Sequence, residues 1–151
     1  VTEIILGCGS RKRDRPCPAW RMYQGPVFRT ALHWSLSVAA LPDIYILSGK
    51  YGLIPSETVI SPYESRIGTP SQVCTRASVT QQAAALGLDQ RRPLLVNIGK
   101  PYLAVLSLPR YDLLTDYMDL PDTRYGYQGS WFKQHHGRLP GRLADRLEDA
   151  A

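Results

Sequence analysis

No apolar run in the sequence is long enough to cross a bilayer: stretches such as Ile4 to Leu6 and Leu94 to Ile98 fall far short of the ~18 residues a span needs. No membrane association is expected. The chain opens on a strand-like VTEIIL, with no basic segment leading into an apolar one, so no secretory signal is read and a cytoplasmic location, bacterial or phage-infected, is expected. Three cysteines (Cys8, Cys17 and Cys74) and three histidines are too few and wrongly spaced for a disulfide framework or a structural zinc, since neither a CxxC pair nor a Cys/His cluster occurs. No metal site is expected. The spacings GxxxxGK[ST], GxGxxG and GxSxG are also missing, which excludes a P-loop nucleotidase, a dinucleotide-binding site and a nucleophile elbow, and no cofactor is expected. Without repeats or low-complexity tracts, 151 residues at 44% hydrophobic and 21% charged content describe one ordinary globular domain.

What the sequence does have is a local excess of positive charge. Residues 1–30 carry six basic groups (Arg11, Lys12, Arg13, Arg15, Arg21, Arg29) against Glu3 and Asp14, whereas residues 31–130 carry eight of each sign. Such a cluster is the footprint expected of a phosphate contact, to a nucleotide or a nucleic-acid backbone, or else a solvated basic loop that aids solubility.

Hydrophobic pattern and turn residues give the order of elements. Thr2 to Leu6 reads as a buried strand ending in Gly7-Cys8-Gly9-Ser10, followed by a long basic loop over 11–25. A helix is expected from Pro26 to Leu41, then a strand from Asp43 to Ser48 ending in Ser48-Gly49-Lys50-Tyr51-Gly52. Strand, helix, strand at this spacing is a βαβ unit with a parallel strand pair. Further along, Thr58 to Ile60 reads as an edge strand, and Thr69-Pro70 opens a helix ending at Gly87. Pro93 to Ile98 is a third strand, Tyr102 to Leu106 a short helix, and Tyr111 to Thr115 a possible fourth strand. The segment 121–151 reads as an aromatic and charged C-terminal extension, with turns up to Pro140 and an amphipathic helix from Gly141 to Asp149. The expected fold is α/β: a single three-layer domain, its small, mostly parallel sheet flanked by helices. The three strand-to-loop junctions, at Gly9-Ser10, Ser48-Gly49-Lys50 and Asn97-Ile98-Gly99-Lys100, should then face one cleft, because ligands of open α/β sheets bind beyond the carboxyl ends of the strands.

The candidate chemistry gathers at those junctions. In GCGSRKR, Gly9, Ser10, Arg11 and Lys12 can hold a phosphate through backbone N–H groups and charge-assisted bonds, the alternative being a plain turn. Lys50, Tyr51, Tyr63 and Glu64 can orient a ribose or polarise a leaving group, the alternative being tyrosines that pack with wet hydroxyls. Asn97, near the end of an apolar strand, is either a clamp on a neighbouring loop or a reader of a base edge, with Lys100 and Tyr102 supplying a phosphate contact and a stacking face. Carboxylates at Asp112, Asp116, Asp119 and Asp122 recur near tyrosines; they are caps and turn residues, or one of them activates water against an oxocarbenium-like transition state. His135-His136, beside Trp131, Phe132 and Lys133, is a base-stacking tail or a docking tail.

The stretches LGCGSRKR with PAWRMYQGPVF, ILSGKYGLIPSETVISPYESRIG and LLVNIGKPYLAVL resemble the YaaA-like superfamily over roughly residues 4–106. That superfamily includes a peroxide-stress protein and short phage and actinobacterial proteins of unassigned function. Its LSGxYGxLxPxxxxxPY element and its later VINLASxxY-type strand are matched by Leu47 to Tyr63 and Val96 to Tyr102. Short relatives begin with a Cys-Gly-Ser-Lys-Lys-like loop, and archaeosine synthases have a similar Cys/Lys/Tyr segment. The resemblance implies an α/β core that binds nucleic acid or a nucleobase, with Ser48, Gly49, Tyr51, Gly52, Pro62, Tyr63 and Asn97 as matching positions. Cys8 and Tyr23 fall in the resembling stretches and join the expected substrate contacts. This chain is much shorter than the long members, so their helical DNA-binding insertion need not exist here.

The reading that follows is an enzyme acting on a nucleobase in DNA or in a nucleotide, most simply a DNA glycosylase-like hydrolase of an N-glycosidic bond, with modified bases favoured because they leave a duplex stack at lower cost. Glu64 or Asp116 would activate water and Lys50 would assist the leaving group. The rivals are a nucleic-acid-binding module without chemistry and a transferase of modified-nucleoside synthesis.

Overall fold

The computed structural model describes residues 2–64, 73–90, 93–121 and 125–150. β1 (Glu3–Gly7) begins with a buried glutamate and is otherwise apolar, buried on both faces as a central parallel strand must be. After it the chain does not run as the expected long loop. Residues 11–24 fold back on themselves as an arm: β2 (Cys17–Pro18) leads into α1 (Ala19–Met22), Lys12 bridges Tyr23, and the N–H groups of Arg13 and Gln24 donate to the carbonyls of Met22 and Arg11 at 2.9 Å. The reason is a set of apolar anchors in a basic stretch: Ala19, Met22 and Tyr23 are fully buried.

Pro26 starts α2 (Pro26–Val38), its missing N–H costing nothing at a helix start. α2 ends three residues earlier than expected, because Ala39 is extended and Leu41–Asp43 forms a single 3-10 turn around Pro42 before β3 (Ile44–Ser48). The residues after β3 turn tightly into β4 (Gly52–Pro55), an antiparallel edge strand that the reading of Ser48 to Gly52 as an open loop missed. β5 (Val59–Ile60), expected as an edge strand, pairs with β2 in a separate two-stranded ribbon.

α3 (Arg76–Ala85) is capped by Thr75, whose Oγ1 accepts from the Ser78 N–H. Val73 and Cys74 are not helical, which corrects the expected helix; Thr69-Pro70 lies outside the described residues. β6 (Leu94–Asn97) is followed by α4 (Lys100–Leu103), which begins two residues earlier than expected because Pro101 fits its first turn. β7 (Asp112–Leu113) continues into a 3-10 turn, Leu114–Tyr117.

The main sheet has the order β4-β3-β1-β6-β7, parallel except at β4. Its two faces carry two apolar cores. Ile4, Leu6, Ile44, Ile46 and Leu95 face α2, whose Phe28, Leu32 and Trp34 cover them. Ile5, Leu47, Leu94 and Val96 face Val79 and Ala83 of α3. This is the expected three-layer α/β domain.

The C-terminal segment is not an appendage. α5 (Tyr125–Gln134) packs on α2, burying Trp131 and Phe132 with centroids 5.6 Å from Trp34, and α6 (Gly141–Ala150) buries Leu143 in the same core. Trp34 Nε1 donates to the His135 carbonyl at 3.0 Å, satisfying the one polar atom of a buried indole. Among the described residues no helix is long and apolar enough to cross a membrane.

Candidate functional site

The connections decide where a ligand can enter. From β1 the chain crosses through α2 on one face to β3; from β4 and β5 it crosses through α3 on the other face to β6, on the opposite side of β1. The loops leaving β1 and β6 therefore diverge to opposite faces, and between their carboxyl ends lies the switch point, the crevice position at which open α/β sheets bind ligands.

Side-chain alternation places a polar residue on one face at the end of each of the three central strands. Leu6 is level with Ile46 and Asn97, and the Cys8 N–H donates to the Leu47 carbonyl, so Cys8, Ser48 and Asn97 all continue the α2-facing rows. These three positions then divide sharply by access.

Ser48 is closed off. Its Oγ accepts the N–H groups of Lys50 and Tyr51, at 3.2 and 3.0 Å, and donates to Tyr63 Oη at 2.7 Å. Tyr63 Oη in turn shares a 2.6 Å hydrogen bond with Tyr23 Oη. Both tyrosines are buried, and burial, with Cys8 nearby, holds both hydroxyls well above the usual tyrosine range, so they stay protonated at neutral pH. Tyr23 is 0% exposed and packs on Phe28, so it supports Tyr63 from below and cannot touch a ligand as expected. Gly49 is buried, and Gly52 has φ +77° with the Gln82 side-chain amide where a Cβ would go. Gln82 brackets the same turn, its Oε1 accepting from the Leu53 N–H and its Nε2 donating to the Tyr51 carbonyl. Ser48, Gly49 and Gly52, expected as substrate contacts, therefore build a turn. Gln82 escaped the sequence reading because nothing local distinguishes it from any other helix-surface glutamine.

Cys8, Asn97 and Tyr102 are half-exposed. Cys8 Sγ donates to Tyr102 Oη at 3.4 Å, a contact that bridges the crevice from the β1 loop to α4. Burial, then the Cys8 contact, pushes the Tyr102 hydroxyl above its usual range. Gly7 lies against Ile98, whose Cα would stand 3.4 Å from an added Cβ, so the crevice floor is closed; around Gly9 the space is open. The Asn97 amide makes no hydrogen bond among the described residues, leaving one donor group and one acceptor for a ligand. Ser10 and Lys100 are exposed at the two lips.

The remaining candidates are dispersed, some near this end of the sheet and others far from it. Lys12 Nζ donates to the Ser10 carbonyl and sits 4.4 Å from the Tyr63 ring centroid, turned inward rather than outward to a phosphate. Tyr51 stands edge-on to Tyr63, and its hydroxyl exchanges bonds with the backbone of Ser61; Lys50 Nζ lies over the Tyr51 ring at 5.3 Å. Glu64, beside Tyr63, and Arg11, on the arm, are exposed. Asp116 is exposed beyond β7, two strands from β1, so the fold brings it to neither Ser48 nor Tyr63; its backbone carbonyl accepts from Arg142. Asp112 is committed to Arg146 and Tyr117. His135 stacks on Trp131, and His136 packs on His33 near Ser37, toward the opposite end of α2 from Pro26. The histidine pair thus fastens α5 to α2. Among the described residues no three His, Cys, Asp or Glu side chains gather as a metal site would require.

The profile of a family of unknown function, DUF6884, matches residues 4–134, a span that takes in the arm, the whole sheet and α5. No curated protein and no solved structure matches the chain.

Proposed function

The chain belongs to the DUF6884 family, whose function is unknown, and we propose that it takes a phosphate-bearing nucleobase in the β1/β6 crevice and hydrolyses the N-glycosidic bond. The observation that carries this reading is the uncommitted Asn97 amide at a switch point whose other open side chains, Cys8 and Tyr102, are polar. An amide offers the paired donor and acceptor that a base edge presents in return. Likeness of Leu47 to Tyr63 and of Val96 to Tyr102 to the YaaA-like superfamily supports the same ligand class.

In this reading Ser10 and Lys100 hold phosphate at the two lips, and the Tyr102 hydroxyl, kept protonated, donates a hydrogen bond to the base as it leaves. The bond from C1′ to the base nitrogen breaks with its electron pair going to the base, and a water oxygen bonds to C1′. Glu64 takes the proton from that water and gives it up to solvent, from which the departing base takes one, so sugar and free base are the products and the carboxylate is restored. Mass spectrometry of free base released from plain and modified DNA and from nucleotides tests this. Release of one base, lost in Glu64→Gln with binding retained, is expected; no release from any member of the panel overturns it.

A second reading is favoured by one observation, that among the described residues Glu64 is the one candidate carboxylate that the fold keeps near this end of the central strands, where hydrolases of this chemistry use two. The chain would then bind the same ligand without chemistry, and Glu64→Gln would change nothing.

A further inference from the structure

We propose that the arm between β1 and α2 is a second site, which grips the phosphate backbone of a nucleic-acid strand, so that the crevice receives a base within a polynucleotide rather than a free nucleotide. This rests on the crevice reading and adds its substrate class. The arm carries an open cleft of about 400 Å³ lined by Arg13, Asp14, Arg15, Pro16, Cys17 and Arg21. Three guanidiniums face one carboxylate there, and among the described residues none of the three is held in an ion pair.

The arginines stand on a fixed frame. Besides the arm's internal hydrogen bonds, the N–H groups of Ala19 and Trp20 donate to Thr58 and Ser56, and Arg13 Nε donates to the Arg21 carbonyl at 3.0 Å. That last bond leaves the terminal nitrogens of Arg13 uncommitted while orienting its plane, an arrangement suited to the fork geometry of a phosphate. Arg11, on the same arm, and Arg29, whose Nη1 donates to the carbonyl of the arm's Trp20, are exposed as well. One phosphate is satisfied by one or two guanidiniums; five on or beside one arm suit a repeating polyanion. Half-buried Trp20, with Arg21 5.5 Å from its ring centroid, adds an aromatic surface of the kind bases stack on and acidic peptides do not need. The arm starts at Ser10, on the lip of the crevice, and Arg13 is four residues from Gly9, at most about 14 Å along the chain. A strand lying on the arm therefore passes the crevice mouth.

The test is fluorescence anisotropy of a labelled single-stranded oligonucleotide across a salt series, for the wild type, for Arg13→Ala/Arg15→Ala/Arg21→Ala and for the corresponding triple lysine variant, each checked by circular dichroism. Loss of three phosphate contacts should weaken binding about tenfold or more at low salt and flatten the log–log salt slope by about 2, with lysine restoring the slope. Arg15→Glu, at a side chain with no hydrogen bond to the fold among the described residues, should weaken binding on its own. Unchanged affinity and slope in the triple alanine variant overturn the proposal, as does polyglutamate competing as well as an unlabelled strand. If the wild type releases base from free nucleotides yet binds no strand, the arm site falls and the crevice stands. If the arm variants lose strand binding while Asn97→Ala alters neither binding nor release, the arm stands and the crevice reading falls.

Discussion

The Ser48–Tyr63–Tyr23 hydroxyl chain and the Cys8–Tyr102 pair lie at the same, carboxyl end of the central strands and are both built on tyrosine hydroxyls, yet one is buried and the other half-exposed. In the first, every hydroxyl is used within the protein, and burial keeps the two phenols protonated. In the second, the partners reach each other across a crevice, and Asn97 beside them is left without one among the described residues. The difference comes from chain direction. β3 turns back at once into β4, so its end is covered by its own hairpin, whereas the chains leaving β1 and β6 part to opposite faces, which makes the place between them the switch point. Polar residues at a strand end thus mark a ligand site only where the connections separate.

That contrast makes different demands on substitutions. The largest loss of stability is expected from Gly52→Ala, which forces a side chain into the left-handed region against the Gln82 amide and should cost about 2 kcal/mol or more in denaturant unfolding. An unchanged midpoint would mean that the hairpin does not need this turn. Next comes Tyr63→Phe, which removes the shared partner of Ser48 and Tyr23 in a buried place and should cost about 1–3 kcal/mol. If it is neutral, the hydroxyl chain is not what closes this end of the sheet.

Alkaline pH should reveal the sealed regions in a different way. Burial, with Cys8 nearby, pushes the Cys74 thiol up to about 11 from its ordinary 9.0, so between these values the unfolded chain gives up this proton before the folded one does. Stability present below the lower value is lost as pH rises toward the upper, and the buried tyrosines act in the same direction. Thiol labelling of the folded protein at neutral pH should accordingly reach half-exposed Cys8 and Cys17 and spare Cys74 until denaturant is added; equal labelling of all three would contradict it. The smallest stability effect is expected at the open site, where Asn97→Ala should stay within about 0.5 kcal/mol of the wild type while weakening ligand binding about tenfold.

The sequence carried the layer order well, because strands buried on both faces are short apolar runs bounded by turn residues: Ile4 to Leu6, Ile44 to Leu47 and Leu94 to Val96 are all seen in β1, β3 and β6. The three junctions do lie at one end of adjacent strands. What was not legible depends on long-range closure. The arm read as loop because its anchors, Ala19, Met22 and Tyr23, are scattered among arginines and make sense only against Ser56 and Thr58. α5 read as turns because Gly126 and Gly129 interrupt it, and its stability comes from Trp131 and Phe132 packing on Trp34. Ser48, Gly49 and Gly52 looked like contacts because the residues that make a tight turn are also those that make a phosphate loop. Only the Gln82 amide, contributed from thirty residues downstream, tells the two apart.

The central claim, that the switch-point crevice is the ligand site, is tested most directly by mapping backbone amide shifts of labelled protein as a nucleotide or short oligonucleotide is added. The account predicts that the largest shifts fall on residues 7–10 and 97–102, with the amides of Ser48 and Gly52 little moved. Shifts centred on the Ser48 hairpin, or confined to α5 and α6, would contradict it.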